Sequence, residues 1–335
     1  MARNVMIKGT GSYHPKNVVN NEYYIEHFKK FNLDGHLKGI MRKLGRNTRN
    51  IAKENENSLT MAVEAAKNAL YNSEVSSEDI DMIIYSSDTP EFLAPTCSLL
   101  LKNQLKACNV TGVFDVNSNC TGMLTAIDIA TRYLKTDKKY NKVLVVGSLL
   151  VSRLARKDDM ITYGCTGDGA VAVVLEVEED NEVERGILGS RMFADDAYSY
   201  AMRFPRCGLS NITKENMKPD DVEWLAVPFD FSFVPEKWAK LISKLLKDYN
   251  YTSKDVCHYF MSQFSKTDIE LTMNKLGSSM DKITFVGDKY GYTGCTSPIM
   301  ALDDGLKSNK FKKDDIVVFC SIATGYSMNS LLYKF

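Results

Sequence analysis

The run Phe114-Asp115-Val116-Asn117-Ser118-Asn119-Cys120-Thr121-Gly122-Met123-Leu124 puts one thiol where an apolar strand gives way to an amphipathic helix. Residues 114–116 end a buried strand, and Met123, Leu124, Ile127, Ala130, Tyr133 and Leu134 recur beyond it at helical spacing. Asn119 or Thr121 is placed to cap that helix. A thiol at such a junction feels the positive end of the helix dipole and nearby unpaired N–H groups. Both lower its pKa and favour the thiolate, the nucleophilic form. The same N–H groups could hold an oxyanion. The competing reading is a buried cysteine acting as a small hydrophobe.

A nucleophilic cysteine ordinarily works with a histidine base. The four histidines, His14, His27, His36 and His258, have no metal-ligand spacing, and only His258 lies in the second half of the chain. It belongs to an expected strand whose alternation puts His258, Phe260 and Ser262 on one face. Ser262 closes that strand at its C-terminal end, where α/β sites gather. His258 lies roughly 13 Å further back and reads as a core residue. Two further turns can bring groups to a site. Residues 288–298, with Tyr290 and Tyr292, form a glycine-broken turn before a helix. Ala323-Thr324-Gly325-Tyr326 lies between two strands, either a plain hairpin or a source of backbone donors for a carbonyl oxygen.

The elements that must hold these groups alternate between strand and helix. Strands are expected at 5–11, 80–86, 114–116, 142–148 and the residues after 164, with helices at 21–31, 58–71 (Ser58 as cap), 97–105 and from 123. An acidic break at 178–184 separates this half from strands at 186–190, 256–261, 284–286, 316–322 and 327–333, and helices at 238–249, 266–276 and 298–306. Residues 192–227 read as a long aromatic-rich loop, a kind of segment that is usually functional or mobile. Continuous apolar strands alternating with helices argue for an α/β layer structure. The expected halves are 1–177, carrying Cys120, and 185–335, carrying the Ser262, Tyr292 and Gly325 turns, with a shared cadence that suggests duplication.

Composition narrows the function classes. Lys+Arg and Asp+Glu are both 42 in 335 residues, so no global basic field favours nucleic acid or an anionic membrane. The basic stretch Lys38, Arg42, Lys43, Arg46 and Arg49 is either a solvated helix face or a phosphate-binding rim. No stretch reads as a signal peptide or a membrane span, and the eight cysteines form no CxxC pair, so a cytoplasmic protein with reduced thiols is expected. No metal site is expected.

The order of these pieces resembles the β-ketoacyl-acyl-carrier-protein synthase III enzymes of the thiolase superfamily over nearly the whole chain. The matching motifs are Ile7-Lys8-Gly9-Thr10-Gly11-Ser12-Tyr13-His14-Pro15, Asp115 to Gly122 around the thiol, residues 143–148, 167–174 and 275–281, and Gly325 to Phe335. The resemblance implies a duplicated five-layered αβαβα fold, a homodimer, and a pantetheine tunnel leading to an acyl-accepting cysteine, Cys120. It implies an acyltransferase that uses acyl-CoA or acyl-carrier protein and has no cofactor. The oxyanion hole would combine the backbone N–H of Cys120 with one from the Thr324-Gly325 turn. Lys43, Ser265 and Lys266 would line the coenzyme A or pantetheine entrance, although Gly39 replaces the family's adenine-stacking tryptophan and Met160 a second arginine.

The catalytic pair departs from the family. Its His-Gln-Ala-Asn motif reads here Ser262-Gln263-Phe264-Ser265, and its His-Gly-Asn-Thr reads Tyr290-Gly291-Tyr292-Thr293. In the family, that histidine and asparagine stabilise the enolate formed when a malonyl thioester loses carbon dioxide. Ser262 and Tyr292 each offer one neutral hydrogen bond instead. Losing such donors costs several kcal/mol, hence roughly a hundredfold or more in rate. The expectation is an acyl-S-Cys120 intermediate whose acyl group passes to an acceptor other than a standard malonyl thioester, with Ser262 or Tyr292 orienting it. Two alternatives stand beside it: ordinary malonyl-dependent condensation for fatty-acid or polyketide synthesis, and a catalytically silent subunit of a heterodimeric synthase.

Overall fold

The computed structural model describes residues 2–180, 183–228, 230–308 and 311–335. The first half runs β1 (Ala2–Tyr13), β2 (Asn17–Asn20), α1 (Asn21–Lys29), α2 (Asp34–Leu44), β3 (Thr48–Ile51), α3 (Ser58–Ser73), β4 (Met82–Ser86), α4 (Cys97–Gln104), β5 (Gly112–Val116), α5 (Gly122–Thr136), β6 (Lys142–Leu149) and β7 (Gly169–Asp180). The second runs β8 (Gly186–Ala194), β9 (Met202–Arg203), β10 (Leu225–Ala226), α6 (Val234–Asp248), β11 (Val256–Met261), α7 (Lys266–Lys275), α8 (Gly287–Tyr290), α9 (Ser297–Ser308), β12 (Ile316–Ala323) and β13 (Ser327–Lys334). The acidic break at 178–184 includes residues 181 and 182, which lie outside the described residues.

Nine strands form one sheet in the order β11-β12-β13-β8-β1-β7-β6-β4-β5. Its two arms repeat one plan outward from β1 and β8, which pair in parallel through Val5 and Gly186. On one arm β1 pairs antiparallel with β7, β7 antiparallel with β6, and β6 parallel with β4. On the other, β8, β13, β12 and β11 repeat those senses in turn. The first arm ends in parallel β5, whereas the matching segment of the second makes a single parallel bridge, Tyr259 to Ile283. The strand expected at 284–286 therefore does not form.

Strand alternation builds the layers. Met82, Ile84, Val143, Val145 and Val173 of one arm, with Phe260, Val317, Phe319 and Leu331 of the other, face the central helices α5 and α9. Ile83, Tyr85, Leu144 and Val146 turn the opposite way, onto α3 and α4. Tyr259, Met261, Val318 and Cys320 turn onto α6 and α7. The result is the expected five-layered α/β architecture, with two strand layers enclosing the central helices.

Two local expectations change. Helix α3 is capped by Asn57 rather than Ser58: the Asn57 side chain accepts from the Thr60 N–H at 2.8 Å while the Thr60 hydroxyl accepts from the Asn57 N–H. The basic stretch also divides. Lys38, Arg42 and Lys43 are exposed on α2, but that helix stops at Leu44, and Gly45 turns the chain inward at φ 71°. Arg46 and Arg49 are buried as a result. The Arg46 guanidinium donates to the carbonyls of Leu44, Cys165, Gln263, Phe264 and Gly287 at 2.6–3.2 Å. Arg49 bonds Asn21 and the Gly164 carbonyl and sits 4.7 Å over the Tyr24 ring. Both tie loops together; neither faces a phosphate rim or solvent.

Candidate active site

Cys120 lies on a single tight turn, Asn119–Thr121, between β5 and α5. Asn119 enters that turn at φ 48° and Gly122 leaves it. A Cβ on Gly122 would stand 2.1 Å from Ser86 Oγ, so glycine lets α5 start beside the end of β4 without turning that hydroxyl aside. Neither expected cap forms on α5. The Thr121 hydroxyl donates to the Ser118 carbonyl at 2.7 Å, and Asn119 Nδ2 donates to the Thr324 carbonyl at 3.5 Å. The Ser321 hydroxyl of β12 donates to the Cys120 carbonyl at 2.7 Å, locking the Cys120 turn to the second arm.

Four groups converge on the thiol. Ser262 follows β11 directly, is fully buried, and its hydroxyl donates to Tyr292 Oη at 3.3 Å. The Tyr292 hydroxyl in turn lies beside the sulfur, so Ser262, Tyr292 and Cys120 stand in one row. The Thr324 backbone N–H also faces the sulfur. Asp88, two residues beyond β4, brings Oδ2 within 3.9 Å of Sγ. Sequence reasoning overlooked this fourth group; its signal was a carboxylate just past the C-terminal end of a buried strand.

The expected thiolate is not the resting form. Burial pushes the Cys120 thiol up to about 12, and Asp88 adds to the rise; contacts with Tyr292 and the N–H groups of Thr324 and Cys120 oppose it. Depth in an apolar site outweighs the helix terminus here. Burial also holds the Tyr292 phenol well above its ordinary value, leaving it a neutral donor, and raises the Asp88 carboxyl to about 7.

The Thr324 turn is a hairpin whose backbone N–H reaches the Cys120 sulfur. Ala323 pairs with Ser327, closing a tight β12–β13 hairpin with Gly325 at φ 91°. Tyr326 holds φ 136° between Phe193 and Phe233, so packed aromatic rings fix a backbone that a tyrosine rarely adopts.

In front of the thiol is an apolar cavity of about 880 Å³, counting its open mouth. Cys120, Asp88, Tyr292 and Thr324 line its floor, and Met202, Trp224, Phe231, Phe233, Trp238 and Phe264 its walls. Met202 and Trp224 come from the expected long loop, which is held by the short β9–β10 pair and by Trp224 stacked on Phe204.

The other expected site residues separate. Lys43 and Lys266 are exposed neighbours, joined where the Thr267 hydroxyl donates to the Lys43 carbonyl at 2.9 Å. Ser265 is buried, and its hydroxyl caps α7 by accepting from the Asp268 N–H at 3.2 Å, so it holds the helix rather than facing the entrance. Gln263 ties the site loop down: Oε1 accepts from Val286 N–H and Nε2 donates to Met261 O, both at 2.7 Å. His258 pairs with Thr284 at 2.9 Å inside the core, where burial lowers it to about 4. Among the described residues, no group of three or more His, Cys, Asp or Glu is arranged to hold a metal, and no helix is long and apolar enough to cross a membrane.

The chain matches two family models. Residues 114–196 match 3-oxoacyl-[acyl-carrier-protein] synthase III, and residues 246–335 match the C-terminal region of the same family, together just over half the chain. A β-ketoacyl-[acyl-carrier-protein] synthase III of Neisseria gonorrhoeae is 29% identical over 334 residues, covering 98% of both chains. The crystal structure of 3-oxoacyl-[acyl-carrier-protein] synthase III from Aquifex aeolicus superposes with a TM-score of 0.83 at 27% identity, covering 99% of this chain and 100% of that one. The synthase III structure from Pseudomonas aeruginosa shares the fold at a TM-score of 0.87 and 20% identity, covering 99% and 98%.

Proposed function

This chain belongs to the 3-oxoacyl-[acyl-carrier-protein] synthase III family of thiolase-fold condensing enzymes, and from that premise we propose that it is an acyltransferase that works through an acyl-S-Cys120 intermediate. The observation that carries the reading is the buried thiol facing the Thr324 N–H at the floor of an apolar cavity, with Ser262 and Tyr292 where the family has histidine and asparagine. Sγ attacks an acyl thioester, the Thr324 and Cys120 N–H groups take the developing oxyanion, and the carrier thiol leaves. The apolar walls suit an acyl chain and a pantetheine arm. The donor is acyl-CoA or acyl-carrier protein, entering past Lys43 and Lys266.

The acyl group then passes to a hydroxyl, amine or preformed carbon nucleophile oriented by the Ser262–Tyr292 pair. Two neutral hydroxyls make a weaker enolate cradle than a histidine–asparagine pair, so decarboxylative condensation is impaired. The chemistry calls for no resident cofactor, since the thioester itself is the activated group. The free edge of β5, flanked by exposed Phe92, Leu93 and Leu99, supports pairing into a homodimer. The eight free thiols suit the cytoplasm. The two halves, 1–177 and 185–335, contribute the nucleophile and the acceptor side respectively.

Intact-mass spectrometry after exposure to acyl-CoA or acyl-carrier protein tests the reading. The protein gains one acyl mass and Cys120→Ala gains none. No adduct from any donor or chain length would favour a silent subunit, and brisk ketoacyl product from malonyl-carrier protein would restore the ordinary activity.

A further inference from the structure

The proposed acylation leaves one chemical need unmet. The resting thiol is neutral, yet no histidine lines the cavity. His14 stacks on Tyr290 with ring centroids 3.6 Å apart, His258 pairs with Thr284, and His27 pairs with the Lys157 carbonyl. Ser262 and Tyr292 are neutral donors, unsuited to taking a proton.

Asp88 differs from two other buried carboxylates, Asp168 and Asp303. Asp168 accepts from the N–H groups of Ala52, Val151 and Ser152 and from the Ser152 hydroxyl, at 2.6–3.0 Å. Asp303 accepts from Thr10, Ser12 and Lys307 at 2.5–2.8 Å. Both are saturated structural anchors. Asp88 lines the cavity, meets the Cys120 thiol through Oδ2, and keeps Oδ1 buried without a partner. A buried carboxylate with an idle oxygen costs stability, so structure alone gives it no purpose.

We propose that Asp88 is a catalytic residue of this site, the general base and acid that moves the proton on and off Cys120. The proposal rests on the acyl-S-Cys120 reading. As Sγ attacks the thioester carbon, the S–H proton passes to Asp88 Oδ2. When the carbon–sulfur bond to the carrier breaks, the departing pantetheine thiolate takes that proton, and Asp88 is again a carboxylate. In the second half-reaction, Asp88 takes the proton of the O–H, N–H or C–H acceptor as it attacks the acyl group. The released Cys120 thiolate then recovers that proton. Protons and bonds balance without a further reactant.

The electrostatics fit such a shuttle. The titratable groups facing Asp88 are the thiols of Cys120 and Cys295 and the Tyr292 phenol, all held neutral by burial. With the carboxyl at about 7, both of its forms are populated at neutral pH, where acid–base transfer is most effective.

Single-turnover acylation followed by intact mass across pH 5–9 tests the proposal in wild type, Asp88→Asn and Asp88→Glu. Asp88→Asn acylates roughly 100- to 10,000-fold more slowly and loses an inflection near pH 7, while Asp88→Glu recovers part of the rate with the inflection displaced. Acylation of Asp88→Asn within about threefold of wild type, or a slower rate with the same pH profile, would overturn it. Should Asp88→Asn not fold, iodoacetamide alkylation of Cys120 in the wild type decides. Alkylation rises through pH 7 if Asp88 is the base, and only toward strongly alkaline pH if it is not. A wild type that alkylates with this inflection but accepts no acyl group sinks the acyltransferase reading and leaves Asp88 as the thiol's base.

Discussion

Cys120 and Cys295 occupy equivalent corners of the duplicated fold. Each sits on one tight turn, Asn119–Thr121 or Gly294–Thr296, that opens a central helix. Each follows a residue in the left-handed region, Asn119 at φ 48° or Gly294 at φ 56°, and each precedes a threonine. The two turns lie against each other. Both feel Asp88, yet of the two only Cys120 lines the cavity, contacts the Asp88 carboxyl at 3.9 Å, and faces the Tyr292 hydroxyl and the Thr324 N–H. Cys295 is fully buried, with its sulfur 3.8 Å from the carbonyl oxygens of Ser86 and Ser148, which repel a thiolate. A helix start shared by both thiols therefore does not make either one a nucleophile. Access to the cavity, the Thr324 N–H and a direct contact with the Asp88 carboxyl separate them.

The comparison is broken most directly by chemical labelling. Native protein treated with iodoacetamide, digested and analysed by mass spectrometry should carry label on Cys120 and none on Cys295, and Cys120→Ala should abolish acyl-adduct formation altogether. Label on Cys295 in the folded protein would mean that its burial is not what distinguishes it.

The acceptor side offers the next largest effect. The double variant Ser262→His/Tyr292→Asn puts the family's enolate-binding pair back beside an unchanged nucleophile. Decarboxylation of malonyl-carrier protein should rise by roughly a hundredfold or more. Carbon dioxide release with no gain would place the departure from the family elsewhere than this pair.

How far the chain could be read without coordinates depended on whether the deciding quantity was local. Strand β11 was legible to the residue, because apolar content, length and flanking turns are all in the sequence. Cys120, Ser262 and Tyr292 could be placed because each ends an element on the same edge of the layers. The resting state of the thiol was misjudged, since the helix start is visible in sequence but the depth of burial is not. Arg46 and Arg49 were misjudged for a similar reason: a charge run shows its spacing, not that the chain turns inward at Gly45. Asp88 was overlooked because its place past the end of β4 is visible in the sequence but its contact with a sulfur 32 positions away is not. The Tyr259–Ile283 bridge shows the limit for strands, since 284–286 has strand-like residues but gains no ladder.

The same burial that would fit Asp88 for proton transfer should weaken the fold. Its carboxyl rises from an ordinary 3.8 to about 7, so the unfolded chain holds the ionised form more readily than the native one. The contribution of this one group to stability is therefore highest below pH 4, where it is neutral in both states, and falls as pH rises from about 4 to about 7. Asp88→Asn removes that penalty. It should melt above wild type at pH 8, by a margin on the order of a few kcal/mol, with the gap closing at pH 4. Scanning calorimetry at the two pH values measures it, and an equal gap at both would mean that the carboxylate is not the cost.

The smallest effect tests the inert corner. Cys295→Ala removes a single sulfur from a packed site against two carbonyls, leaving a small void. About 1 kcal/mol of stability should be lost, through contact and not through charge. Acylation of Cys120 should keep its rate and its pH profile, because the Cys295 thiol is held neutral by burial and its sulfur bonds to carbonyl oxygens. Parallel melting curves and single-turnover mass spectra on the one variant check both parts. A slowed or pH-shifted acylation would show that the second thiol helps set the field around Asp88, and that the two corners work as one.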